Sequence, residues 1–301
     1  MLGFNRILLA TDFSAGATAA LQYAAVLARL SHATLRVLHV IDTRVAALAR
    51  WTDVFRSTEV FAAKEKQETK ALQETLAHPA LAGLRVEQCI RHGPPADGIM
   101  DMTADVDLVV LGTSGSATDS SARKVARQVA HGSLAPVLLV PATYRDAVPG
   151  ATTPSLPLQR ILLAIHVVQY APQAVTLSCT LAAVGNATLT VLQVLEPEKL
   201  RSSPLDAGAG LSHNLVGAQA LMERRLQEAV PDTPAGPVVE RLVVIGTPPE
   251  VILQQASARR ADLVVMSVHT YGGLQKFFTS STVDVVLAQM PCPLLAVPFP
   301  S

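Results

Sequence analysis

Asp12 follows the apolar run Ile7-Leu8-Leu9-Ala10, and a second apolar run, Leu108 to Leu111, ends in Gly112-Thr113-Ser114-Gly115. A glycine-rich turn directly after a short strand, with a carboxylate after another strand opposite it, is an anion cradle in outline. Glycines let backbone N–H groups approach phosphate oxygens, and the helix that follows presents its positive end. Ser114, with His131 as base, brushes against a hydrolase nucleophile, but Ser116 stands where the second glycine of a nucleophile elbow belongs and no acid is identifiable by spacing. His166 and His269 in the second half could share a metal or an anion. Without a third ligand they are expected to be ordinary hydrogen-bonded histidines. There is no GxxxxGK[ST] loop, HExxH or DFG, so the common phosphoryl-transfer and metalloprotease readings fall away.

The elements that must position these residues alternate. Apolar runs at Ile7–Ala10, Leu35–Ile41, Leu84–Ile90, Leu108–Leu111 and Val137–Val140 predict strands. Helical spacing over Ala17–Leu30, Ala62–Leu76 and Arg123–Ala130, and a helix begun by Pro94-Pro95, fill the gaps, with Ser14 as the N-cap of the first. Residues Gly112 to Ser121 read as a loop. Short apolar strands alternating with helices predict a parallel sheet covered on both faces. In a doubly wound sheet the ligand site lies at the carboxyl ends of the strands flanking the switch point, which sets Asp12 opposite Gly112.

The chain states this pattern twice. Arg6-Ile7-Leu8-Leu9-Ala10 returns as Arg160-Ile161-Leu162-Leu163-Ala164, Gly93-Pro94-Pro95 as Gly246-Thr247-Pro248-Pro249, and Asp107-Leu108-Val109-Val110 as Asp262-Leu263-Val264-Val265. Ala135-Pro136-Val137-Leu138-Leu139 returns as Cys292-Pro293-Leu294-Leu295-Ala296. A repeat this long is a whole domain. The expected organisation is a domain over 1–142, a Pro- and Thr-rich linker over 143–157, and a second domain over 158–301. The second domain repeats the strands near 161–165, 189–195, 238–245, 263–266 and 294–297, with helices near 173–184, 211–230, 250–258 and 282–289. The helix at 173–184 carries no charge on any face and is expected to be covered by the other repeat, a second subunit or the loop over 195–210, while an apolar cluster of Ala46, Leu48, Trp51, Val54 and Phe55 is expected to pack within its own domain.

Composition narrows the partners. Lys plus Arg equals Asp plus Glu at 24 each, which gives no electrostatic claim on nucleic acid or an anionic membrane. Three scattered cysteines, Cys89, Cys179 and Cys292, form no CxxC pair and read as small hydrophobes in a reducing cytosol. Ile161 to Leu195 lacks any charge, but Pro172 and Gly185-Asn186 cut it into strand, helix and strand, so no membrane span is expected. Charges at Arg6 and Asp12 come too early for a signal peptide, which leaves a cytoplasmic location as the expectation.

The ordered set Ile7 to Ser14, Gly93-Pro94-Pro95, Asp107 to Gly115 and Met290-Pro291-Cys292-Pro293, given twice over nearly the whole chain, resembles the universal stress proteins in their tandem two-domain form. The resemblance implies an α/β, Rossmann-like fold: two tandem, doubly wound, five-stranded parallel sheets of order 3-2-1-4-5, the repeats pairing through their last strands. It implies a stress-response binding or adaptor protein rather than an enzyme, able to form homo-oligomers or recruit a protein partner. ATP-binding members carry Gly, two residues, Gly, nine residues, then Gly followed by Ser or Thr. The first repeat keeps Asp12, Gly112 and Gly115 but has Val125-Ala126, or Arg123-Lys124 when aligned from Pro136, at the phosphate end. The second has Ser267, Thr270 and Ser280 for the glycines, Ser281 for the hydroxyl and His166 for the acid. The implied ligand is therefore ATP or ADP without a metal, bound weakly through Asp12, Gly112 and Gly115, with Ser281 the corresponding anchor in the second repeat. Gly112→Val is the substitution expected to abolish it. The alternatives are a partner-binding scaffold with both crevices degenerate and a weak ATPase.

Overall fold

The computed structural model describes residues 2–43, 54–113, 120–144, 158–167, 170–196, 211–232, 236–270 and 282–300. The chain divides into two units, Met1–Leu156 and Pro157–Ser301. Unit 1 runs β1 (Arg6–Ala10), α1 (Ala15–Ser31), β2 (Thr34–Ile41), α2 (Val54–Leu76), β3 (Val86–His92), α3 (Pro95–Met100), β4 (Leu108–Thr113), α4 (Ser120–Gly132) and β5 (Val137–Pro141). Unit 2 runs β6 (Arg160–Ala164), α5 (Pro172–Gly185), β7 (Thr188–Leu195), α6 (Leu211–Ala229), β8 (Val239–Ile245), α7 (Pro248–Ala258), β9 (Leu263–Thr270), α8 (Thr282–Gln289) and β10 (Leu294–Pro300). Within unit 1 the strand order is β3-β2-β1-β4-β5, and within unit 2 it is β8-β7-β6-β9-β10, the expected 3-2-1-4-5 arrangement each time. All neighbours within a unit pair in parallel.

Parallel strands buried on both faces need continuous apolar runs, and the central ones supply them: Ile7, Leu8 and Leu9, and likewise Ile161, Leu162 and Leu163, are fully buried. Helix α1 reaches the sheet closely because its buried face is mostly alanine. Ser14 caps it as expected, its Oγ accepting the Ala17 N–H at 3.2 Å. The repeated aspartate before the fourth strand is a clamp. Asp107 Oδ2 accepts the Asn5 and Arg6 N–H groups at 2.6 and 2.8 Å, and Asp262 Oδ2 accepts those of Gln159 and Arg160 at 2.9 Å each. The repeated Gly-Pro-Pro begins the helix after the third strand: Gly93 takes φ 133°, beyond the ordinary reach of an L-residue, and Pro94 stands at the N-cap of α3.

Several boundaries differ from expectation: α2 already begins at Val54 rather than Ala62, and β9 runs on to Thr270 rather than Met266. Strand β3 starts at Val86 rather than Leu84, because Gly83 at φ 76° turns the chain and the Leu84 N–H bonds back to the Leu81 carbonyl. The loop expected over Gly112–Ser121 is shorter at both ends: Gly112 and Thr113 stay in β4, in register with Val140 and Pro141, and α4 already begins at Ser120. The uncharged α5 buries Ala174, Ser178, Leu181 and Ala182, and its hydroxyls are satisfied within the helix: Thr176, Ser178 and Thr180 each donate to the carbonyl four residues back. Trp51 and most of its apolar cluster lie outside the described residues, as does most of the linker.

Candidate functional site

A cleft of about 650 Å³ opens at the carboxyl ends of β1 and β4 in unit 1, within the size range of small-molecule sites. Asp12 and Gly112 both line it, so the structure joins these two predicted residues; Gly115, Ser114 and Ser281 lie outside the described residues. The floor comes from Leu38, His39 and Val40 at the end of β2, one wall from Pro94 to Asp97 of the α3 start, and the other from Ser121, Lys124 and Gln128 of α4.

Asp12 is exposed, and its Oδ1 accepts the Ser14 N–H at 3.0 Å, an Asx-type turn that feeds the chain into α1. Among the described residues its other oxygen has no partner. Thr11 Oγ1 accepts the Phe13 N–H at 3.1 Å, and this holds Phe13 at φ 64°, an uncommon conformation for a residue with a side chain. The Phe13 ring lies against the ring of His39, with centroids 4.4 Å apart.

His39 is 7% exposed. Its Nδ1 lies 2.8 Å from the Thr11 carbonyl, which can only accept, so Nδ1 carries a proton. Its Nε2 stands 3.3 Å from Glu68 Oε2, near enough for an ion pair yet outside hydrogen-bond geometry, and both atoms are buried without a hydrogen-bond partner. The sequence did carry a signal for this residue. His39 is the polar interruption in an apolar strand, and its counterpart Gln193 interrupts β7 at the same place and is equally buried, at 2%. Gln193 Oε1 accepts the Val167 N–H at 2.9 Å and its Nε2 donates to the Val194 carbonyl at 2.7 Å. In both units a buried polar side chain from the second strand braces the loop after the first.

Gly112 is a glycine for a reason other than phosphate approach. Its φ is not in the left-handed region. A Cβ there would collide with the Gly16 carbonyl group and the Ala17 nitrogen, the backbone at the start of α1, and a Cβ on Gly16 would come within 2.7 Å of the Thr113 carbonyl oxygen. The pair lets α1 dock on the end of β4. In unit 2 the counterpart of Gly112 is Ser267, whose Oγ accepts the Ala171 N–H at 3.0 Å at the start of α5. Ala171 corresponds to Ala17, so Ser267 supplies the hydroxyl that Ser14 supplies in unit 1. The glycine position of the second repeat thus holds a serine bonded to the N–H of Ala171, the residue just before α5.

The phosphate end of the motif also has a physical form. Helix α4 is already under way at Ser120 and runs for thirteen residues. Val125 and Ala126, like Lys124, lie past the first turn of α4, where their N–H groups are already spent on the carbonyls four residues back. In unit 2, His166 is exposed and has an interaction partner, while His269 meets the edge of the Phe299 ring with centroids 5.2 Å apart. Among the described residues no three His, Cys, Asp or Glu side chains gather as a metal site, and no helix is long and apolar enough to cross a membrane.

The model of the universal stress protein family matches residues 3–141 and again 157–298. A Thermus aquaticus protein described as "Universal stress protein in QAH/OAS sulfhydrylase 3'region" is 39% identical over 61 residues, 20% of this chain; the matched segment spans 44% of that relative's length. A universal stress protein structure from Archaeoglobus fulgidus aligns over 98% of both chains at 19% identity with a TM-score of 0.67. A functionally unknown protein from Pseudomonas aeruginosa PAO1 aligns over 99% of this chain and 93% of its own at 15% identity, with a TM-score of 0.57. These two share the fold. With both repeats matched in full by the family model, the chain belongs to the universal stress protein family, as a tandem of two of its domains.

Proposed function

We propose that the protein is a cytoplasmic, non-enzymatic binding module that holds one adenine nucleoside or nucleotide per chain, in the cleft of unit 1, and passes its occupancy to a protein partner or a second copy. The cleft between Asp12 and Gly112 carries this reading, since it lies where open α/β sheets take their ligands. Adenine is the base that the family resemblance supplies. Unit 2 does not bind, because a serine side chain, Ser267, fills its glycine position and is bonded to the chain entering α5. The terminal strands β5 and β10 are apolar along their length and each stands last in its own unit's order, a liability that pairing of the repeats through these strands would remove.

Titration calorimetry with adenosine, AMP, ADP and ATP on the full chain tests this, together with mass spectrometry of anything released on denaturation. The expected result is one site per chain, lost when Ala122→Phe fills the cleft from α4, with no phosphate release above background. Two equal sites per chain, or binding that survives Ala122→Phe, would refute the assignment to unit 1.

A further inference from the structure

The cleft's charge is of the wrong sign for a triphosphate. Asp12 and Asp97 bring two carboxylates to its lining and Asp42 a third that already has an interaction partner, against one ammonium from Lys124. Asp12 and Asp97 are exposed and Lys124 extends from α4 into solvent. An anion entering this lining meets net repulsion, which low-dielectric walls focus. Of the backbone donors along α4, those of Lys124, Val125 and Ala126 are spent within the helix. What the cleft does offer is acceptors. A carboxylate accepts two or more hydrogen bonds and donates none, which suits the hydroxyls of a ribose or the amino group of a base. Apolar surface from Leu38, Val40, Ile99 and Leu111 suits a flat ring.

Resting on the reading of this cleft as an adenine site, we infer that its ligand is the nucleoside itself, adenosine or a close analogue with a free ribose, and that each added phosphate weakens binding. The chain is then a sensor of dephosphorylated nucleoside rather than of the triphosphate. The carboxylates supply the selectivity by accepting from ribose and by repelling phosphate at the same time.

Affinities of the intact protein for adenosine, AMP and ATP, measured with and without Mg²⁺, decide the matter. Adenosine is expected to bind at least as tightly as ATP, with AMP between them. Raising salt from about 0.05 to 0.5 M should narrow the gap, because screening relieves a repulsion and would weaken an attraction. The double variant Asp12→Asn, Asp97→Asn should shift the ATP-to-adenosine affinity ratio toward ATP by about tenfold or more, about 1.4 kcal/mol. ATP binding tighter than adenosine in either buffer overturns the inference, as does a ratio that the double variant leaves unchanged. If no adenine compound binds at all, the parent reading of the cleft has failed and this one falls with it; a triphosphate preference leaves the parent reading standing and sinks only the charge argument.

Discussion

Gly112→Ala separates packing from ligand recognition. In the native structure the new Cβ would sit inside the contact distance of three backbone atoms, the Gly16 carbonyl carbon and oxygen and the Ala17 nitrogen. None of these can swing aside like the end of a side chain. Either α1 lifts from the end of β4 or the last residues of β4 leave register with β5, where Gly112 pairs with Val140. Overpacking a well-filled site costs roughly 1 to 3 kcal/mol; with backbone as the obstacle, the upper end applies, about 3 kcal/mol. For a unit of this size that is a fall in Tm of about 9 °C. Calorimetry reads the shift, and amide exchange in α1 and β4 assigns it to unit 1. An Ala variant within about 0.5 kcal/mol of wild type, with unchanged exchange in α1, would refute the packing account. The same geometry removes Gly112→Val as a probe of nucleotide binding: lost binding in that variant would report a displaced α1, so substitutions at Asp12, Asp97 and Ala122, whose side chains border the cleft, must carry the test.

The aspartate clamps should be independently measurable. Asp107→Ala leaves the Asn5 and Arg6 N–H groups without their acceptor and is expected to cost about 1 to 2 kcal/mol in chemical denaturation, with Asp107→Asn recovering part of it through its remaining oxygen. Burial, reinforced by the Asp262 carboxylate, pushes the Cys292 thiol up to about 12 from 9.0. The fold therefore favours the protonated thiol: its contribution is complete below pH 9, where the unfolded thiol is also protonated, and is lost as pH rises toward 12. Relative to Cys292→Ala, wild type should lose about 2 kcal/mol of stability between pH 9 and about pH 10.5, and a flat difference would contradict it. In the loop after β1, Thr11→Ile removes the acceptor for the Phe13 N–H, an acceptor that Gln193 provides in unit 2, where Ile165 replaces Thr11. Thr11→Ile should cost about 1 to 2 kcal/mol alone and be partly rescued by His39→Gln, and a double-mutant cycle additive within about 0.5 kcal/mol would refute the exchange.

The fold was legible because its signals are local and repeated. Apolar runs, a serine N-cap and a Gly-Pro-Pro helix start each act within a few residues, and the second copy confirmed the order of the first. The site was legible only in position. Asp12 and Gly112 were placed on opposite sides of one crevice from topology, and they do line one cleft. What the sequence could not separate was why each residue is there, since a glycine after a strand looks the same whether phosphate or another helix approaches it. The comparison of repeats resolves this at the atomic level. A serine replaces that glycine in unit 2 without loss of fold because its hydroxyl takes the N–H that Ser14 takes in unit 1. Likewise Gln193 stands for His39 because Ile165 stands for Thr11, and the orphaned N–H moves to the new acceptor. Such exchanges lie tens of residues apart in sequence and a few ångströms apart in space. The departures from the family motif thus divide into two kinds. At Gly112 and Ser267 they follow the docking of the first helix, while at the phosphate end Val125 and Ala126 lie inside α4 with their N–H groups already spent, so the proposed ligand choice rests on the carboxylates of Asp12 and Asp97 that line the cleft.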